Sequence, residues 1–111
     1  MIAVTILYPA KENAHFDVTY YVETHMPASM HRLRSAMRGV TVSQGVTGIP
    51  QGSAPPYFAV CELLFDSTEA FLAAFAPHAE WLQGDIKQYT DVEPAIQISE
   101  VKIHRQFVAQ L

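Results

Sequence analysis

Hydrophobic and polar positions follow two rhythms along this chain. Ile2, Val4, Ile6 and Tyr8 fall on one side of a period-2 pattern, and Ala3, Thr5 and Leu7 on the other. Both sides are mostly apolar, which predicts a strand in the middle of a sheet. Pro9 and the polar Lys11-Glu12-Asn13 end it. Val18, Tyr21, Val22, His25, Met26, Ser29, Leu33 and Ala36 then recur at spacings of three and four, the stripe of an amphipathic helix capped by Asp17 and running to about Met37. Pro27 lies inside it, lacks an N–H and crowds the carbonyl of Glu23, so the helix is expected to kink or restart just after His25.

Val40, Val42 and Val46 mark a second strand over 39–48, bending or ending at Gly45 or Gly48. IPQGSAPP, residues 49–56, is a loop. Alternation from Tyr57 to Phe65 gives the clearest strand. Asp66 with Glu69 three residues on suggests a capping box for a second helix, carried by Ala70, Phe71, Ala74 and Phe75 and interrupted at Pro77. Trp81, Leu82, Asp85, Ile86 and Tyr89 share one side of a further helical stretch. Pro94 opens a last strand, 95–103, whose alternation changes phase between Ile98 and Val101 and so suggests a bulge.

The order strand, helix, strand, strand, helix, strand reads as one α+β domain over 1–111. It is a ferredoxin-like βαββαβ with a four-stranded antiparallel sheet and both helices on one face. The second sheet face is expected to be apolar and uncovered, and a second copy of the chain is the economical cover, so a homodimer is expected. With 111 residues, half of them hydrophobic, the chain suits one globular domain.

Charge narrows the partners. Only 16% of residues are charged and the net charge is −4, with 7 basic against 11 acidic residues. No basic stripe exists to neutralise phosphates, so nucleic acid is not an expected partner. No stretch reaches the roughly 20 apolar residues of a membrane span, so no membrane is expected either. Met1 leads straight into a strand pattern rather than a signal peptide. A lone cysteine, Cys61, allows neither an internal disulfide nor a Cys-based metal site. Together these suit a cytoplasmic protein.

His25 is the sharpest chemical feature. It sits on the apolar stripe, where an unpaired imidazole is costly, and its titration near neutral pH suits acid/base work. It reads either as such a group or as a satisfied core histidine locking the kink. Asp85, Asp91 and Glu62 could orient it, although Asp85 also reads as a solvated helix residue and Asp91 as a cap before Pro94. Tyr8, Tyr21, Tyr57 and Tyr89 could each present a phenol to a pocket, and Trp81 an aromatic wall; all also read as core. No metal is expected, since His25 and His31 fall on different helical faces. Neither a phosphate loop nor a nucleophile elbow is present, and no cofactor is expected. A lone histidine could still ligate haem.

Two stretches carry a family resemblance. Residues 16–27, FDVTYYVETHMP, fit F-x-x-x-Y-Y-x-x-x-H-x-P, and residues 89–101, YTDVEPAIQISEV, fit an aromatic-T-D-x-x-P-x-x-Q run into the last strand. Together with Leu7-Tyr8-Pro9 they resemble the EthD family, named for a protein of ethyl tert-butyl ether degradation. The resemblance implies a ferredoxin-like fold that dimerises into an α/β barrel. Its wider superfamily holds cofactor-independent monooxygenases, lactone isomerases, polyketide cyclases and haem-degrading enzymes, many with a histidine in an apolar pocket. It carries His25 over as the site position, with Tyr21 and Asp91 as motif residues. Some relatives are labelled reductases, but nothing here resembles a nicotinamide or flavin site.

The expectation that follows is an enzyme without cofactor. His25 moves a proton on a small hydrophobic oxygenated substrate, with a tyrosine hydroxyl holding a developing oxyanion, and His25 and Tyr21 are the candidate catalytic residues. Tyr8, Tyr57, Trp81, Tyr89 and Asp91 are the candidate substrate contacts. The alternative is a non-enzymatic accessory protein that binds a hydrophobic small molecule or haem.

Overall fold

The computed structural model describes residues 1–108. Strand β1 (Ile2–Pro9) is followed by a helical segment in three parts: α1 (Val18–Tyr20), a wide π turn (Tyr21–His25) and α2 (Met26–Leu33). Strands β2 (Met37–Gln44) and β3 (Tyr57–Phe65) form a hairpin. Then come α3 (Thr68–Phe75), a 3-10 turn (Ala76–His78), α4 (Ala79–Gly84), a second 3-10 turn (Asp85–Gln88) and β4 (Ala95–Glu100). The sheet runs β2-β3-β1-β4 with every pair antiparallel. This is the ferredoxin-like order, and β1 is central as its two apolar faces require.

Register decides what faces the helices. Val4 lies between Leu63 and Ile98, and Ile6 between Cys61 and Ile96. Val4, Leu63 and Cys61, with Tyr8, Ala59 and Phe65, meet Tyr21, Met26, Leu33, Phe71 and Tyr89 in one core; Ile6 packs against it, while Ile96 and Ile98 on the edge strand stay exposed. Each large side chain removed from water contributes roughly 1.5–3 kcal/mol. The opposite sheet face is mixed rather than apolar. Ala3, Leu7, Val60 and Leu64 alternate there with Thr5, Thr41, Ser43, Glu62, Gln97 and Ser99, because the register sets these residues on the same side.

Three boundaries differ from the sequence reading. The first helix ends at Leu33, and Met37 already pairs with Phe65. Ser67, not Asp66, caps α3: its Oγ accepts from Ala70 N at 3.0 Å, while Asp66 takes both nitrogens of the Arg38 guanidinium edge. The last strand stops at Glu100 with an unbroken register against β1, so the phase change after Ile98 marks the strand's end rather than a bulge. The helix does restart just after His25, at Met26, and the break before it is a widened turn over Tyr21–His25. The hairpin end falls at Gly45, where a Cβ would sit 2.2 Å from the Tyr57 carbonyl, so only glycine fits. Among the described residues no helix is long and apolar enough to cross a membrane.

Candidate functional site

The site begins with the π turn. The Met26 N–H donates to the Tyr21 carbonyl five residues back, one more than an α-helix allows. The extra residue swings Val22, Glu23 and Thr24 outward together; Val22 is 45% exposed although it belongs to the apolar stripe. Tyr21 and His25 are left on the inner side, where their rings stack at 5.6 Å and 13°. Single π turns of this kind often accompany functional sites.

Across from them, the 3-10 turn after α4 presents Asp85. Its Oδ2 lies 2.9 Å from His25 Nδ1, and its Oδ1 accepts from the Tyr20 hydroxyl at 2.9 Å. The side chains of His25 and Asp85 are only 8% and 11% exposed. A carboxylate at this distance accepts a hydrogen bond from Nδ1–H, which leaves the Nε2 lone pair as the ring's free position. Burial lowers the His25 pKa below its ordinary 6.5; the Asp85 hydrogen bond opposes that shift without overcoming it, and Arg32 adds to it. The ring is therefore neutral near pH 7, the state a general base needs. Trp81 stacks on His25 at 5.7 Å and 11°, and the Arg32 guanidinium sits 3.7 Å from the Trp81 ring centre.

His25 lines a cavity of about 210 Å³ between sheet and helices. Val4, Ile6, Leu63, Phe71 and Ile86 supply much of its apolar wall. Leu72 on α3 and Ile96 on β4 also line it and are half exposed, so it opens to solvent there. Tyr8, Tyr21 and Tyr89 form its inner end, with the Tyr8 and Tyr89 hydroxyls 2.7 Å apart. Burial drives the Tyr21 and Tyr89 phenols far above their ordinary range and the Cys61 thiol up to about 11, so all three stay protonated.

The structure thus gathers His25, Tyr21, Tyr8 and Tyr89 at one cavity, with Trp81 behind the imidazole. Tyr57 and Asp91 stand elsewhere. Tyr57 is a third exposed, at the start of β3. Asp91 accepts from the His15 N–H at 3.1 Å, which holds its carboxyl below the usual range. Beside it Thr90 donates to the His15 carbonyl at 2.7 Å, and Asp17 N–H donates to the Tyr89 carbonyl at 2.7 Å. The T-D run therefore clamps the segment leading into the first helix.

Two participants had only a weak signal in the sequence. Asp85 was one of three acids that could orient His25, and the one on the stripe of Trp81, Leu82, Ile86 and Tyr89; Tyr20 was visible only as the first tyrosine of the Y-Y motif, with no role attached. Among the described residues no group of three or more histidine, cysteine or acidic side chains could hold a metal ion.

Comparison with known proteins agrees with this architecture. The model of the EthD domain matches residues 12–93. An EthD-like protein of Ralstonia eutropha JMP134 superposes with a TM-score of 0.89 at 43% identity, over 94% of each chain. An ethyl tert-butyl ether degradation (EthD) family protein of Bacillus halodurans C-125 gives 0.64 at 19%, over 91% of this chain and 98% of its own. HapK from Hahella chejuensis gives 0.56 at 16%, over 99% of this chain and all of its own, a likeness of fold. Among curated proteins none matches.

Proposed function

The chain belongs to the EthD family, and we propose that it is a cofactor-independent enzyme that moves a proton on a small hydrophobic substrate held in this cavity. One observation carries the reading: a largely buried carboxylate, Asp85, holds a buried imidazole by Nδ1 at the wall of an apolar cavity. Core packing needs no such pair, since burying a carboxylate costs several kcal/mol unless its partners compensate. The pair fixes one tautomer and stabilises the imidazolium that forms once Nε2 takes a proton. The same step serves isomerisation, cyclisation, or oxygenation with dioxygen as co-substrate.

The cavity suits a molecule of one or two rings: a void of about 150 Å³ in another protein takes benzene. A porphyrin is larger, so a haem-carrying role draws no support from its size. The mixed sheet face, with Ala3, Leu7, Val60 and Leu64 at its centre, is the surface for a second copy, giving a homodimer. A reducing, cytoplasmic setting suits the single free thiol of Cys61.

Exchange of carbon-bound hydrogen for solvent deuterium tests the reading. The panel is aromatic ketones, lactones, quinones and polyketide-like phenols, followed by NMR. Wild type should exchange one class, and His25→Ala should slow it about 100-fold or more. Equal exchange by both proteins would sink the dyad as the proton carrier. Saturable binding without exchange would point instead to a carrier protein.

A further inference from the structure

The inner end of the cavity holds three phenols, and only two of them are joined by a well-formed hydrogen bond. Tyr8, Tyr21 and Tyr89 pack ring against ring, with centroids 4.9–5.8 Å apart. Each hydroxyl brings one hydrogen. Only one is delivered, between Tyr8 and Tyr89 at 2.7 Å. The Tyr21 hydroxyl is buried beside the Tyr8 oxygen and the Cys61 sulfur, close enough for a weak interaction with either, but it stands in good hydrogen-bond geometry with no described residue. Tyr21 is itself fully buried and lines the cavity. Leaving such a donor unpaired in the interior is unfavourable.

Among the described residues no lysine or arginine stands at this end, and none lines the cavity. Arg32 lies outside, donating to the Ala28 carbonyl and covering Trp81. Ser29 is spent on the His25 carbonyl. A carboxylate or phosphate would therefore be desolvated without a counter-charge. A neutral oxygen acceptor would be matched.

We infer that the cavity takes a neutral carbonyl compound of one or two rings, whose oxygen accepts a hydrogen bond from the Tyr21 phenol. This rests on the proposed acid/base reading and deepens it. With the oxygen at the phenols, Nε2 of His25 removes a proton from the carbon beside the carbonyl. The C–H pair becomes the enolate π bond and the carbonyl π pair moves to oxygen. The phenol hydrogen bonds to that oxygen, and the imidazolium returns the proton to the same or a conjugated carbon. Nothing is oxidised or reduced. Protonated phenols are suited to the role because they donate to a developing enolate without giving up their own proton.

Binding of matched pairs tests this without needing turnover. Acetophenone and 2-acetylnaphthalene are compared with ethylbenzene and 2-ethylnaphthalene, and with benzoate, by titration calorimetry on wild type and Tyr21→Phe. Wild type should prefer each ketone to its hydrocarbon about tenfold and should prefer acetophenone to benzoate. Tyr21→Phe should abolish the ketone preference and leave hydrocarbon binding unchanged. The melting temperature of the free protein should rise, because an unpaired buried hydroxyl is removed. A hydrocarbon bound as tightly as its ketone, undiminished ketone binding by Tyr21→Phe, tighter binding of benzoate, or no binding at millimolar concentrations would each overturn the inference. Failure of the dyad reading is separate: there ketone binding keeps its Tyr21 dependence while His25→Ala leaves exchange unchanged.

Discussion

His25 shows what one residue's surroundings can be read to do. Its place on an apolar stripe was legible, and so was its need of a partner. Which partner was not, because Asp85 lies 60 positions away and is delivered by a different element. A pattern of local spacing carries no information about contacts between elements. The pair has consequences for pH. The folded ring accepts a proton less readily than the unfolded one, whose pKa is near 6.5. Its stability contribution is therefore full above about pH 6.5 and falls as pH drops through that value towards the folded pKa. Chemical denaturation of wild type and His25→Gln across pH 5–8 checks this: the wild type should weaken on acidification and the variant should lack that component. Asp85→Asn should lower the exchange rate and move the acid limb of its pH profile to lower pH, since loss of the carboxylate charge makes the imidazolium harder to form. A limb moving to higher pH would contradict the assigned role.

At the scale of elements, the strands were the most legible and the helix ends the least. Tyr57–Phe65 stands where its alternation put it, because a strand with a buried face has a fixed phase. The first helix was read with a 3.6-residue period up to a break after His25, and the π turn already breaks that period over Tyr21–His25. Val22 is the residue that shows the slip. The N-cap of α3 turned on two adjacent good cappers, Asp66 and Ser67, and the extended backbone of Ser67 with its bond to Ala70 decides between them. Ser67→Ala should cost about 1 kcal/mol, whereas Asp66→Ala loses an exposed ion pair with Arg38 and should change little. Comparison of the two unfolding midpoints checks this; equal losses would return Asp66 to the cap.

The whole molecule is more extended than its length requires. Its radius of gyration is 15.1 Å, against about 13 Å for a compact chain of this size. Val46 and Ile49 at the hairpin tip and Ile103, Phe107 and Val108 beyond β4 are all more than four-fifths exposed. A second copy seated on the mixed sheet face would lie beside these segments. The βαββαβ order and the sheet face left outside were legible from the sequence, but the composition of that face was overestimated as apolar. Light scattering at micromolar concentration should give a mass twice the 12.4 kDa of one chain. Leu7→Glu with Val60→Glu should reduce it to one chain with the fold retained, because paired like charges on a buried face are strongly disfavoured. A monomeric wild type would refute the dimer.

The state of one imidazole tests the central claim most directly. Nitrogen-15 chemical shifts of the His25 ring, followed from pH 4 to 8, report its tautomer and its titration without any substrate. A dyad poised for proton transfer gives a neutral ring at pH 7, protonated on Nδ1 with an unprotonated Nε2, and a midpoint below 6.5. A ring protonated on Nε2 at pH 7, or a midpoint above 6.5, would contradict it and leave His25 as a packing residue.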